Sequence, residues 1–153
     1  MRLDEDEGDP GPFTALCMAN LRRWFEEGWG EQNFGLIDEL FAPEFLAEGG
    51  APGRLDRLSY KVYCKRIIEM NPDLQNEVIE LLPAGDIVVS RVRSWGTHTG
   101  MVQDIEPTGK AFDTVVTDVW KFDAEGLMTH RTNAEIDTEY FRKLFGFAPR
   151  FKL

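Results

Sequence analysis

Asn71-Pro72-Asp73-Leu74, the turn Pro83-Ala84-Gly85-Asp86, the strand-like run from Ile87, Gly96-Thr97-His98-Thr99-Gly100 and Glu106-Pro107-Thr108-Gly109-Lys110 follow one another in that order. This stretch decides how the chain is read, because the period of the apolar residues changes at its start. Pro72 cannot continue a helix and biases Asn71 away from helical backbone. Beyond it, Val, Ile, Thr and aromatic residues alternate with polar ones, the two-residue period of strands.

Upstream, the period is helical. Phe13, Cys17, Leu21, Trp24 and Phe25 recur at helix spacing up to Gly28. A short second helix is expected from a cap at Asn33, carrying Leu36, Ile37, Leu40 and Phe41 and stopping before Pro43. Gly49, Gly50, Pro52 and Gly53 mark a loop, and a third helix is expected from Arg57 to Met70. Downstream, residues 75–82, 87–95, 111–122 and 127–136 read as four strands, the last two joined by the turn Asp123-Ala124-Glu125-Gly126. Residues 138–145 read as a final helical turn or two, with Gly146 at the C′ position. Helices followed by an antiparallel meander make the chain α+β.

At 153 residues the chain is long enough for one substantial core. No repeat or interdomain linker is visible. Residues 1–12 read as an acidic flexible tail and 13–153 as a single domain. The net charge of −10 argues against a nucleic-acid partner, which would call for clustered Lys and Arg. No apolar run is long enough to span a membrane. Two cysteines, Cys17 and Cys64, in helix-like patterns and no secretory n-region suggest reduced thiols in a cytoplasmic protein.

The residue most at odds with its surroundings is Asp118. In 114–122 one face carries Thr114, Val116, Asp118, Trp120 and Phe122, the other Val115, Thr117, Val119 and Lys121. A carboxyl on the apolar face loses hydration, which favours its neutral form and suits a general acid or base near neutrality. On the next strand Met128, His130, Thr132, Ala134 and Ile136 share a face, so simple alternation sets His130 inward beside Asp118. A structural role for either remains the competing reading, with backbone amides or Arg91 holding Asp118. Arg91 shares its face with Arg93 and Trp95; turned inward it would pair with Asp118 or bind an oxygen-rich substrate, turned outward it would be solvated. Trp24, Tyr60, Tyr63, Trp95 and Trp120 are candidate pocket walls, each also a reasonable core residue. His98, at a strand end, is expected to serve hydrogen bonding or an interface rather than catalysis. A metal triad of the two histidines with Asp118 or Glu135 lacks close ligand spacing, so neither metal nor cofactor is expected.

The ordered motifs, together with Trp29-Gly30-Glu31-Gln32-Asn33, the run from Ile37 to Phe45 and the closing Arg142-Lys143-Leu144-Phe145-Gly146, resemble the SnoaL-like polyketide cyclases of the nuclear-transport-factor-2-like superfamily. The resemblance covers roughly Leu21 to Gly146. It implies a cone-shaped α+β barrel, a curved antiparallel sheet wrapped with helices around a small-molecule pocket, in a homodimer. In the family's aldol cyclases the position matched by Asp118 carries a histidine, and the position matched by Thr132 carries the acid/base aspartate. Here that pair is absent, while His130 matches a histidine common in the family's last strand. The chain is therefore expected to be a cofactor-independent cyclase or isomerase acting on a hydrophobic, polyketide-like molecule in secondary metabolism. Asp118, His130 and Arg91 would carry the chemistry, with Thr132 and the aromatic residues against substrate. Ring closure by conformational control, an epoxide hydrolase-like reaction, and a non-catalytic small-molecule-binding dimer are the alternatives.

Overall fold

A computed structural model of the chain describes residues 10–49 and 53–133. Most of the expected tail, the middle of the glycine-rich loop, the end of the last strand with Glu135, and the helical turns at 138–145 lie outside the described residues.

Helix α1 (Gly11–Arg23) runs directly into a π-helical turn, Trp24–Trp29, in which Gly30 N–H donates to Phe25 O at 3.1 Å. The wider turn advances each side chain by less than the usual 100°. It leaves Trp24 fully buried in the core and sends Phe25 and Trp29 toward the cleft described below. Gly28 is required where it stands, since a methyl group there would overlap the Trp24 ring. A short helix α2 (Leu36–Leu40) passes at once into strand β1 (Phe41–Glu48). Strand β2 (Leu55–Asp56) leads into helix α3 (Arg57–Met70), whose N-terminus is capped by Asp56 accepting from Ser59 N–H at 2.8 Å. Four strands complete the described chain: β3 (Gln75–Ala84), β4 (Ile87–Thr97), β5 (Ala111–Phe122) and β6 (Met128–Asn133).

The six strands form one sheet in the order β2-β1-β6-β5-β4-β3. The α+β class and the helix-to-meander order are as expected. The sheet is nonetheless mixed rather than wholly antiparallel, because β1 lies parallel to β6, and among the described residues it is not closed into a barrel. The second helix is also shorter than the sequence suggests: Phe41, expected at its end, starts a strand. Pro43, which reads as a stop signal, sits where the β1–β6 register is interrupted between Phe41 and Leu46, so its missing N–H costs no ladder bond there.

Two bulges decide which side chains face the helices. In β3, Val78 pairs with Val92 but Glu80 with Arg91, leaving Ile79 as the extra residue. In β6, Phe122 pairs with Met128 but Lys121 with His130, leaving Thr129 unmatched; its hydroxyl donates to Lys121 O at 3.1 Å. Each bulge reverses the alternation beyond it. The inner face, packed on α1, the π-turn and α3, carries Val88, Ser90, Val92, Asp118, Trp120, Phe122 and Met128 around Trp24, Phe41, Phe45 and Tyr60.

The segments between Asn71 and Lys110 lock strands to the end of α3. Gly100 N–H donates to Met70 O at 3.0 Å, and Thr97 N–H to Asp73 Oδ1 at 2.7 Å. His98 is fully buried beneath the loop. Its Nδ1 accepts from Thr108 N–H at 3.1 Å and lies 3.0 Å from Thr108 Oγ1, while Gly109 N–H donates to its carbonyl. The Thr108 amide can only donate, so neutral His98 carries its proton on Nε2. Burial lowers its pKa. His98 thus joins the Gly-Thr-His-Thr-Gly and Pro-Thr-Gly segments, the hydrogen-bonding role expected of it.

Candidate functional site

Between the inner face of β3–β6 and the helices lies a cleft of about 850 Å³ of empty space, its open mouth included. Its walls are aromatic and aliphatic: Phe25 and Trp29 from the π-turn, Tyr60, Tyr63 and Ile67 from α3, Val92, Val116 and Trp120 from the sheet. The sequence supports this lining locally, because Tyr60, Tyr63 and Ile67 sit three and four residues apart on one face of α3.

Asp118 lines this cleft and is 4% exposed. Its partner is Arg131, whose Nη2 lies 3.0 Å from Asp118 Oδ1, the two side chains 14% and 6% exposed. Arg131 pairs with Trp120 across the β5–β6 ladder, so the guanidinium reaches Asp118 diagonally along the inner face. It also lies over the Tyr60 ring, 5.8 Å from the centroid, and Tyr60 and Tyr63 are stacked at 6.5 Å. Burial pushes the Asp118 carboxyl above its ordinary value, and the Arg131 guanidinium opposes but does not cancel that push. Burial works against the charge on Arg131 too, but Asp118, together with Tyr60 and Tyr63, more than offsets it, so Arg131 stays charged. Burial holds the Tyr63 phenol up at about 12, and that of Tyr60 well above its ordinary value, so both remain neutral donors.

Ser90 stands directly across β4–β5 from Asp118, fully buried, and accepts from Trp120 Nε1 at 2.9 Å. That bond fixes the indole beside the carboxyl, and the Phe25 ring meets Trp120 edge-on at 5.9 Å. The arrangement is a carboxyl with raised proton affinity beside a fixed cation in an apolar cleft. It can exchange a proton with a bound molecule and hold negative charge on an adjacent oxygen.

Of the residues singled out from sequence, Asp118, Tyr60, Tyr63 and Trp120 meet in this cleft. Trp24 is core beneath it, ringed by Trp29, Phe34, Phe41 and Tyr60. His130 is exposed on the outer face, its Nδ1 3.1 Å from Thr129 Oγ1, and Thr132 is exposed beside it. The Thr129 bulge is the reason: it reverses the parity of β6, turning His130 and Thr132 outward and Arg131 inward. Arg91 also faces outward, bound to Glu80 at 2.6 Å rather than to Asp118. Trp95 lies on that outer face under Arg93, whose guanidinium is 4.7 Å from the ring centroid. Arg131 was missed because strict alternation assigns it to the outer face; the unusual Thr129-His130-Arg131-Thr132 run carries no glycine to announce a bulge. Phe25 and Trp29 were visible as apolar residues, but the π-turn that aims both at the cleft was not. Among the described residues no cluster of His, Cys, Asp and Glu could hold a metal ion, and no helix is long and apolar enough to cross a membrane.

Residues 19–134 match the model of the SnoaL-like polyketide cyclase family. No curated protein matches the chain. Among solved structures, a proposed SnoaL-like polyketide cyclase from Jannaschia sp. CCS1 is similar at 23% identity and a TM-score of 0.76, covering 93% of this chain and 99% of that one. IdmH, a proposed polyketide cyclase from Streptomyces antibioticus, is 19% identical with a TM-score of 0.66, covering 76% of this chain and 89% of that one. AclR, a proposed hydroxylase from Streptomyces galilaeus, is 18% identical with a TM-score of 0.66, covering 92% and 88%. Such identities establish a shared fold, and the names differ in the chemistry they suggest.

Proposed function

The chain belongs to the SnoaL-like polyketide cyclase family, and on that premise we propose that it is a cofactor-independent enzyme of secondary metabolism, working in the cytoplasm on a hydrophobic, ketone-bearing small molecule by proton transfer at Asp118. The observation that carries this reading is a buried carboxyl with raised proton affinity, set beside a fixed guanidinium in an aromatic cleft. The Asp118 carboxylate takes a proton from the carbon next to a substrate carbonyl. The C–H electron pair moves to the carbonyl oxygen, and the enolate charge is met by Arg131. In a conjugated substrate the enolate then takes the proton back at a different carbon, an isomerisation, or the enolate carbon attacks a second carbonyl of the same molecule. In the second case a carbon–carbon bond closes a ring and the new alkoxide recovers the proton from Asp118. No external reactant is required. The aromatic walls hold the reacting conformer.

Proton abstraction can be tested before the substrate is identified. A panel of flat hydrophobic ketones is incubated with the protein in D₂O, and deuterium entry next to the carbonyl is followed by NMR. Wild-type protein should accelerate exchange for ketones that bind, and Asp118→Asn should not. Ketones that bind in the cleft with no exchange above the Asp118→Asn background would leave the chain a ligand-binding protein.

We also infer a homodimer formed through the outer face of the sheet. Ile79 and Leu82 on edge strand β3 are 46% and 48% exposed, and the outward Val115, Val119 and Trp95 are only half-buried. Analytical ultracentrifugation at micromolar concentration should find twice the 17.5 kDa of one chain; a single-chain species alone would refute the pairing.

A further inference from the structure

The polar groups of the cleft fall at two ends, separated by an apolar band. Across the inner face, the Ser90–Asp118–Asn133 rung lies at one end. Two residues further along the strands comes Val78–Val92–Val116, wholly aliphatic. Two residues beyond that comes Asn76–Ser94–Thr114, wholly polar. Four residues at about 3.3 Å each put the two polar rungs on the order of 13 Å apart. We propose that this second rung, with Asn71 above it, is a subsite that binds a hydroxyl group at the end of the ligand remote from Asp118; it rests on reading the cleft as a ligand site.

The hydrogen bonds show what the subsite offers. Asn71, at the end of α3, is 3% exposed and lines the cleft. Its Nδ2 donates to Ile67 O at 3.0 Å. A carbonyl can only accept, so this bond fixes the amide orientation and leaves Oδ1 as the acceptor without a partner among the described residues. A buried acceptor left unpaired is costly, so a donor on the ligand is what it lacks. On the sheet side, Ser94 Oγ lies 2.5 Å from Asn76 Oδ1, and the hydroxyl must be the donor. With Oδ1 accepting from Ser94, the Asn76 amide nitrogen is left as the donor of this side chain at the cleft wall. An acceptor and a donor lining the same cleft suit a group that both donates and accepts. A hydroxyl does; a ketone or ether cannot satisfy Asn71, and a carboxylate would meet its oxygen unfavourably. The ligand class that follows is an elongated apolar body with a carbonyl at one end and a hydroxyl at the other.

The test uses estrone, with a phenol at one end and a ketone at the other, against 3-deoxyestrone, which keeps the ketone alone. Binding is measured by calorimetry and exchange beside the ketone by NMR in D₂O. Wild-type protein should prefer estrone by roughly 5- to 10-fold, the effect of one neutral hydrogen bond. Ser94→Ala/Thr114→Val, which leaves the Asn71 cap intact, and Asn71→Leu should each erase that preference, while 3-deoxyestrone, which offers the subsite no hydroxyl, should bind both variants at least as tightly as wild type and still exchange beside its ketone. Asp118→Asn should keep the preference and lose exchange, so the two readings fail separately. Equal binding of both steroids to wild type, a preference that survives in both distal variants, or no binding of either steroid would overturn the subsite.

Discussion

Arg131 Nη2 lies 3.0 Å from Asp118 Oδ1, two opposite charges buried together at the floor of an aromatic cleft. The two are not equivalent. A carboxyl can shed its charge by taking a proton, whereas a guanidinium cannot. The raised proton affinity of Asp118 says that the loss of hydration outweighs what Arg131 returns. Asp118→Asn keeps an oxygen facing Arg131 and should melt within a few degrees of wild type. Arg131→Met leaves a lone buried carboxyl and should cost about 3–5 kcal/mol at neutral pH, less whatever proton uptake recovers. That loss should shrink on acidification, as the carboxyl is neutralised. Urea unfolding of both variants at pH 5 and pH 8 reads the difference; an Asp118→Asn protein far less stable than Arg131→Met would reverse the assignment.

Gly100 approaches α3 so closely that a methyl group on it would overlap the carbonyl oxygen of Glu69. The atom in the way is backbone and cannot swing aside. Gly100→Ala should therefore break the Gly100–Met70 hydrogen bond or push the helix end, at a cost of at least the 1–3 kcal/mol typical of overpacking. Thermal unfolding should register a clear fall in Tm. An unchanged Tm would show that the Thr99–Gly100 segment moves away from α3 freely.

His98 provides a pH dependence of stability unrelated to the cleft. Its folded-state pKa is depressed by burial below the ordinary 6.5. Between the two values the unfolded chain binds a proton that the folded one does not. Stability from this group is thus full above about 6.5 and falls as pH drops toward the folded value. His98→Gln should flatten that part of the stability curve, whatever it does to the absolute stability. A wild-type curve with the same slope as His98→Gln between pH 7 and 5 would contradict the argument.

Local sequence carried the fold well where one rule governs. The helix ending at Met70 and the alternation that turns Asp118 inward follow from proline chemistry and from period two, while the turn expected at Pro83–Asp86 shortens to Gly85–Asp86 because Pro83 and Ala84 extend β3. The reading fails where one inserted residue changes the rule. Thr129 reverses β6, so His130, the more conspicuous residue, faces out and Arg131 becomes the partner of Asp118. Nothing in the identity of Thr129 marks a bulge; the extra residue becomes visible only when β6 is paired against β5. Strand β1 was hidden for a related reason, since it gains its pairing from β6, more than 80 residues later in the chain.

Turnover should rise with pH along a limb governed by Asp118. Only the carboxylate can accept a proton, so the rate should increase as pH climbs through the folded-state pKa, which lies above the ordinary 3.8. Linkage gives the stability of the same group the opposite slope. Because its folded pKa is raised, the native state binds the extra proton between the two values. The contribution of Asp118 to stability is therefore full below 3.8 and is lost as pH rises through the folded value. On the proposed mechanism the protein would gain its base over the same interval in which it loses that stabilisation. The measurement pairs a pH profile of deuterium exchange with urea unfolding over the same range, on wild type and Asp118→Asn. Both the acid limb of the exchange rate and the matching difference in stability should vanish in the variant. An acid limb that persists in Asp118→Asn would assign proton abstraction to another group and leave Asp118 to hold Arg131 in place.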